Sequence, residues 1–430
     1  MNSTYLNEAL ETKWAPILDN PLFSKIKDSS RRDITGILLE NTQKNYLTEA
    51  APLTSVSQGG VTNWEPVLIN LVRRTMPSLV AYDLCSVQPM TGPVGQIFAM
   101  RSQYADDAAK ANWNEALFRE VRTDYSGTKG GSDQVTDMFQ AGTSNNIIQN
   151  VNFKSGTGVA TASAEDWGNS PTYNQMSFTI DKTTVTAKSR ALKAEYSTEL
   201  EQDLKQIRGM SVEAELINIL STEIGLEINR EVLYTILGSA VVGMQQKADY
   251  KGIFDGDTDS DGRWSVEKWK GLLYHIEREA NQVAKDTRRG KANFVLCTSD
   301  VASALAMAQV LDYTPALQQN LEVDDTGNIF CGTLAGRYKV YIDPYWAGSY
   351  DYVCVGYKGA SNYDAGVFYC PYIPVEMVRA INPTTFQPSI GFKSRFGIVS
   401  NPFVTAYNGA DGLTGGTNFY QRKFKVTGIY

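Results

Sequence analysis

Residues 211–238 read SVEAELINILSTEIGLEINREVLYTILG, and this stretch decides the fold. Val212, Leu216, Ile217, Leu220, Ile224, Ile228, Val232 and Ile236 recur at three- and four-residue spacing, the period of one helix face. Ser211 opens the pattern just after Gly209-Met210, and Gly238 closes it. At about 1.5 Å per residue the helix runs for roughly 40 Å, a beam on which the rest of the chain can be hung.

Downstream, a second helix is predicted after Trp264-Ser265. Trp269, Leu272, Ile276, Ala280 and Val283 form its stripe, and Arg288-Arg289-Gly290 ends it with cations and a cap glycine. A strand (Asn293 to Cys297) and a capped helix (Ser299 to Leu311) come next. Strand-like segments then follow at Arg337 to Ile342, Tyr352 to Tyr357, Val367 to Tyr372 and Ile390 to Ile398. Upstream, Val67 to Met76 keeps helical spacing before Pro77, and an apolar run spans Leu79 to Leu84. Strands are predicted at Gln96 to Tyr104 and Asn174 to Lys188, with a Gly-, Ser-, Thr- and Asn-rich loop from Tyr125 to Ala164 between them. Helices grouped beside meandering strands give an α+β chain.

The chain has 430 residues, 42% of them hydrophobic and 20% charged, a mixture that excludes fibrous and disordered classes. Its length predicts about three structural units. A net charge of −7 without a basic block argues against tight nucleic-acid binding. Five scattered cysteines argue against a disulfide framework and for a reducing compartment. The start, Met1 to Glu8, lacks the basic segment and apolar run of a signal peptide, and no apolar stretch is long enough to span a bilayer. A soluble chain made in the cytoplasm is expected. Tyrosine is abundant, 23 residues, and its large, polar-tipped ring suits subunit interfaces as well as cores.

Catalytic signatures are missing: no phosphate loop, dinucleotide fingerprint or nucleophile elbow occurs, and no cofactor is implied. The single histidine, His275, lies beside the apolar stripe of its helix and reads as a packing or helix-surface residue rather than a catalytic one. Asp257, Asp259, Asp261 and Gly262 match the first half of a calcium loop, but position twelve is Lys268 and Glu267 falls one place early. Two readings stay open there: an acidic turn feeding the positive end of the next helix, and weak divalent-cation binding by Asp257, Asp259 and Asp261.

Residues 1–49 form a separate polar segment with two helical patterns. Leu6, Ala9, Leu10 and Trp14 make the first; Ile34, Ile37 and Leu38 make the second, behind a start signal at Ser29-Ser30. The segment is too small for its own core. It is either an appendage that docks on another molecule or an arm packed on its own domain.

Several runs resemble the major capsid proteins of T-even-type tailed bacteriophages. They are Thr12-Lys13-Trp14-Ala15-Pro16-Ile17-Leu18, Val72-Arg73-Arg74-Thr75-Met76-Pro77 with Cys85-Ser86-Val87-Gln88-Pro89-Met90, and Lys188-Ser189-Arg190-Ala191-Leu192-Lys193-Ala194. Others are Glu223-Ile224 with Glu227-Ile228-Asn229-Arg230-Glu231-Val232, Val355-Gly356-Tyr357-Lys358-Gly359 with Asp364-Ala365-Gly366, and Phe386-Gln387-Pro388-Ser389-Ile390-Gly391-Phe392-Lys393-Ser394-Arg395. They span nearly the whole chain in one order.

The resemblance implies the HK97-like phage capsid fold. Its parts would be a propeptide (1–49), an N-terminal arm (50–90), an extended loop with a reduced insertion (91–187), a peripheral domain with the spine helix (188–244), an axial domain (245–375) and a C-terminal return to the peripheral domain (376–430). It implies no enzyme but a subunit that assembles with itself into hexamers and an icosahedral virion shell around DNA, without binding that DNA specifically and without a membrane. The partners it implies are a scaffolding core protein, a prohead protease, a vertex protein, a portal and decoration proteins. The protease is expected to cut between Glu49 and Ala50, in the apolar-x-Glu context Leu47-Thr48-Glu49. An earlier candidate, Leu38-Leu39-Glu40, lies inside a predicted helix, where a protease cannot reach it. On the loop strands, Phe178 and Ile180 are the expected intersubunit contacts, because their alternating apolar face has no evident cover in the chain. The alternatives are a vertex paralogue of the same family and, from a different class, a hydrolase with dispersed carboxylates.

Overall fold

The structure is a computed structural model. It describes residues 13–19, 26, 28–49, 76, 79–105, 114–117, 125–126, 158–165, 174–209, 211–244, 251–260, 264–308, 311–313, 330–346, 348–361, 363–382, 384, 387–401 and 416–428. The chain divides into two compact units rather than three: one of residues 1–97, 183–286 and 290–430, the other of 98–182 with 287–289. The helical pattern expected at 67–75 and most of the loop expected at 125–164 lie outside the described residues.

The larger unit holds two sheets. In the four-stranded sheet the order is β1 (Ser86–Val87), β13 (Val367–Ile381), β14 (Pro388–Ser400) and β5 (Lys188–Glu195). The β13–β14 hairpin pairs without interruption in direction from Val367 opposite Ser400 to Ile381 opposite Pro388. Its register shifts at Pro371/Ile373 and Ile373/Val375, beside Pro371 and Pro374, which have no N–H to give the ladder. Those prolines explain why the sequence pattern stopped the strand at Tyr372, nine residues early.

The second sheet has eight strands. Its order is β6 (Ala240–Val242), β15 (Asn418–Thr427), β12 (Asp351–Gly356), β8 (Phe294–Thr298), β11 (Tyr338–Asp343), β10 (Phe330–Leu334) and β9 (Leu311–Tyr313), with β7 (Ile253–Asp255) also on β15. Both faces are covered, so the central strands bury every residue. Val295, Cys297, Val340, Val353, Val355, Phe424 and Val426 join the core under two helices, while Phe294, Leu296, Tyr341, Tyr352 and Cys354 join the core shared with the four-stranded sheet. One expectation is corrected here. The helix starting at Ser299 ends at Met307, and Leu311 begins a strand. Strand β15 lies in the eight-stranded sheet between β6 and β12, where its alternating Phe424 and Val426 fill the core.

Among the helices, α1 is Ser29–Glu49, α2 Thr198–Arg208, α3 Val212–Ser239, α4 Ser265–Thr287 and α5 Ser299–Met307. The spine helix α3 covers the predicted span to within a residue and buries Ile217, Ile224, Ile228, Val232, Leu233 and Ile236. Lys423 Nζ donates to Leu237 O at 2.7 Å, placing a cation at its C-terminus. Arg190 on β5 pairs with Glu231 at 2.5 Å and Glu227 at 3.6 Å on α3, so two of the family-like runs meet there. All five stripe residues of α4 are buried beneath the eight-stranded sheet. The residue in left-handed conformation after α4 is Arg288 (φ 54°), not Gly290. Gly290 serves close approach instead: a Cβ there would sit 2.5 Å from the Tyr357 ring.

The smaller unit contains most of β2 (Val94–Tyr104) and the start of β4 (Met176–Thr186), which with β3 (Asn114–Glu115) form a three-stranded sheet in the order β3-β2-β4. The extended loop expected as two strands thus carries a third. Tyr104, Ala116 and Tyr125 form a small buried cluster, with the two tyrosine rings 4.6 Å apart. Tyr125 Oη donates to Gln175 O, and Asn174 Nδ2 donates to Tyr125 O. The segment between β2 and β4 therefore carries a small folded cluster at its base.

Candidate functional site

The amino-terminal segment is packed on its own chain. Asp28 caps α1, its carboxylate accepting from Ser30 N at 3.1 Å. The helix then places Ile34, Leu38 and Leu39 in the main core, Leu38 and Leu39 with no exposed surface, beside Met76, Leu79, Leu84, Val87 and Tyr369. Thr35 and Thr42, also buried, donate back to Arg31 O and Leu38 O. Asn41 reaches across to β13: its Nδ2 donates to Met90 O at 2.8 Å and Tyr372 O at 3.1 Å. Residues 13–18 form a further helical turn whose Trp14 and Leu18 share the core. Lys13 pairs with Glu40 at 2.6 Å, and Arg32 makes a two-point pair with Asp19 at 2.8 and 2.9 Å. Burial works against the charge on Glu40, but the Lys13 hydrogen bond and charge, with Trp14 and Lys44, outweigh it and hold the carboxyl below its usual range. Of the two readings open in the sequence for residues 1–49, the described residues 13–19 and 28–49 follow the second, packed on their own chain.

Glu49 is the last residue of α1, and Ala50 lies outside the described residues. Glu40 is in mid-helix, one residue after the buried Leu39, so its peptide bond is enclosed in helical hydrogen bonds. The two apolar-x-Glu junctions differ accordingly: one at a helix end, the other inside.

On the strands of the smaller unit, alternate residues point outward. Phe178 is 63% exposed and Ile180 62%, with Met176 at 54% and Phe98 at 49%. Met176, Phe178 and Ile180 alternate along β4 and so share one exposed apolar face, and Phe98 is exposed on the neighbouring strand β2. The period-two pattern that nominated Phe178 and Ile180 also contained Met176, and Phe98 joins them from β2.

The acidic turn is organised around its own backbone. Asp259 accepts from Asp255 N at 2.9 Å, and Asp255 accepts from Asp257 N at 3.2 Å and Thr258 Oγ1 at 3.0 Å. Lys268, the residue standing at loop position twelve, donates to Asp257 Oδ1 at 2.5 Å. Asp261 lies outside the described residues, and among those described no cluster of three metal-ligating side chains occurs.

His275 is fully buried, 5.5 Å from the Phe254 ring and 4.4 Å edge-on to Phe424. Burial, aided by Arg278 and opposed by Asp259, lowers its pKa from 6.5 to about 4, so it packs as a neutral ring. The unfolded chain takes up the proton first as pH falls, so stability is intact above 6.5 and is lost progressively towards 4. The expected loss from this group is about 3 kcal/mol, from the shift at ~1.4 kcal/mol per unit. Urea unfolding at stepped pH checks it, and His275→Gln should flatten that part of the profile. The cysteines are also inert: all five are buried and free, and burial pushes the thiols of Cys85, Cys354 and Cys370 up to about 12.

The family-like runs at the carboxyl side also converge. Asp364 accepts from Tyr420 Oη at 2.7 Å and Tyr357 Oη at 3.2 Å, and Gly359 N donates to Asp364 O at 2.7 Å. These runs thus meet at a hydrogen-bonded junction. A family model described as Major capsid protein Gp23 matches residues 61–426. The chain belongs to the Gp23 major capsid protein family. As a capsid protein of this family it builds the head shell of a tailed phage. It is 41% identical to the major capsid protein of Serratia phage KSP90 over the full length of both chains, and 35% identical to that of Enterobacteria phage T4 over 92% of each. The capsid vertex protein of Escherichia phage AR1 is 28% identical over 53% of this chain and 54% of its own, a weaker and shorter match that favours the major capsid protein over the vertex paralogue. Among solved structures the chain is similar to the capsid of Myoviridae Phage XM1, at 8% identity and a TM-score of 0.40, covering 81% of this chain and 92% of that one.

Proposed function

We propose that this capsid protein closes its shell as rings of six, each subunit laying the apolar strand face of its extended loop across a neighbour. The observation that carries this reading is the run of Met176, Phe178 and Ile180, alternate apolar side chains of β4 that are each more than half exposed. Each contact is modest, but repetition around a closed ring makes the assembly strong. The negative net charge suits a container whose lining releases DNA freely. A scaffolding core, a prohead protease, a vertex protein, a portal and decoration proteins are the partners that fit this role.

In the same reading residues 1–49 are a propeptide removed by cleavage between Glu49 and Ala50. The end of α1 at Glu49 supports that junction over the one after Glu40, because proteolysis needs an extended strand of substrate and a helix end frays before its middle. Of the two readings of the acidic turn, weak cation binding by Asp257, Asp259 and Asp261 finds less support, since Lys268 already answers the charge of Asp257. Intact mass and N-terminal sequencing of the subunit from DNA-filled heads test the processing. Subunits beginning at Ala50 are expected, and Glu49→Ala should arrest maturation with the full-length chain in the particle. Subunits beginning at Met1 in filled heads would remove the propeptide from the account.

A further inference from the structure

We infer that the groove beneath α1 is a binding site in its own right, and that residues 13–49 occupy it as a separable ligand that stays in place after the chain is cut. The inference rests on the proposed cut at Glu49 but asks a different question: what one broken peptide bond releases.

The contacts lie well away from that bond. Trp14, Leu18, Ile34, Leu38 and Leu39 are all buried, and the last two have no exposed surface at all. They share one buried core with Met76, Leu79, Leu84, Val87 and Tyr369, which stay with the body of the chain. Asn41 adds specificity by giving its carboxamide hydrogens to Met90 O and Tyr372 O, from two separate stretches of the body. At the other end Arg31 pairs with Asp83 and lies over the Tyr82 ring at 5.4 Å. Apolar anchors, a bidentate amide and an ion pair spread along the helix make the helix-in-groove mode of peptide recognition. Within the segment, Lys13 to Glu40 and Arg32 to Asp19 tie the first helical turn to α1, so the ligand is pre-organised.

Cutting after Glu49 removes the tether but none of these contacts. Dissociation would expose the five anchors with their apolar seats and leave two carbonyls without their donor. Cleavage and release are therefore separate events, and the groove opens only when the helix is pulled out or unwound. The mid-helix Glu40 bond stays shielded until then.

The test uses the full chain with a recognition sequence for a site-specific protease inserted after Glu49. After cutting, native size-exclusion chromatography and intact mass should find the 1–49 fragment eluting with the 50–430 body, one to one. Asn41→Ala should weaken retention roughly tenfold and Leu39→Ala roughly a hundredfold, the effects expected of a lost buried hydrogen bond and a truncated core leucine. Both act through the fragment, so the body keeps its sequence. A wild-type fragment that elutes apart from the body, folded or unfolded, overturns the proposal. So does a fragment that bridges two copies, seen as a dimer before cutting. Because the inserted site is cut whatever the natural protease does, failure here is distinct from failure of the Glu49 assignment, which the mass of subunits from mature heads decides.

Discussion

Replacing Phe178 and Ile180 together by glutamate abolishes shell assembly while leaving the subunit folded. Both side chains are more than 60% exposed in the single chain, so the exchange meets no core and costs the fold little. In an assembled interface the same exchange buries two charges without partners, each costing several kcal/mol. Multiplied over every loop in a ring, that penalty exceeds what the surrounding contacts supply. The measurement is sedimentation of particles from cells making the variant, with circular dichroism and thermal melting of the purified chain as the folding control. Soluble subunits with a normal melt are expected in place of shells. Normal shells from the double variant would mean that the strand face faces solvent in the particle.

Arg422→Met should cost about 3–5 kcal/mol of stability, the range for breaking a buried ion pair by removing one partner. Arg422 Nε donates to Glu279 Oε2 at 2.8 Å and its Nη1 to Asp286 Oδ2 at 2.6 Å, in a setting where Glu279 has no exposed surface. Glu279 uses its other oxygen to accept from Met244 N at 2.7 Å. The knot joins β15 to α4 and to the chain leaving β6. Without the guanidinium, two carboxylates remain facing each other's site with no cation between them. Urea unfolding gives the magnitude. Adding Glu279→Gln to Arg422→Met should recover part of the loss, because it removes the buried charge that the single variant strands.

Local patterns made much of this architecture legible. The stripe from Val212 to Ile236 located α3 to within a residue, and the stripe from Trp269 to Val283 identified all five core positions of α4. Those signals are intrinsic to one helix face. Three features escaped for physical reasons. Strand β13 runs on to Ile381 because the register shifts around Ile373 accommodate Pro374, which lies just past the end of the expected strand. Helix α2 had its signals in the sequence, Ser197 as cap, Gly209 in left-handed conformation at φ 66° and a short stripe of Leu200, Leu204 and Ile207, but the stripe is only three residues in an otherwise polar, mostly exposed helix. The Arg422–Glu279 pair joins residues 143 positions apart, a distance over which only the fold can act.

Of the candidate site residues, Phe178 and Ile180 were readable from alternation alone, while Phe98 became visible only when the sheet placed β2 beside β4. Residues 1–49 were ambiguous because an amphipathic helix shows that it needs a surface, not whose surface it is. The buried Leu38 and Leu39 and the reach of Asn41 to Met90 and Tyr372 supply that answer for the intact chain.

The most direct measurement is cryo-electron microscopy of heads purified from the phage, at a resolution that shows side chains. The account predicts Phe178 and Ile180 of each copy packed against an adjacent copy of the same chain, their exposure falling from above 60% to that of a core residue. A shell in which both side chains remain in solvent, with neighbouring copies joined elsewhere, would contradict it.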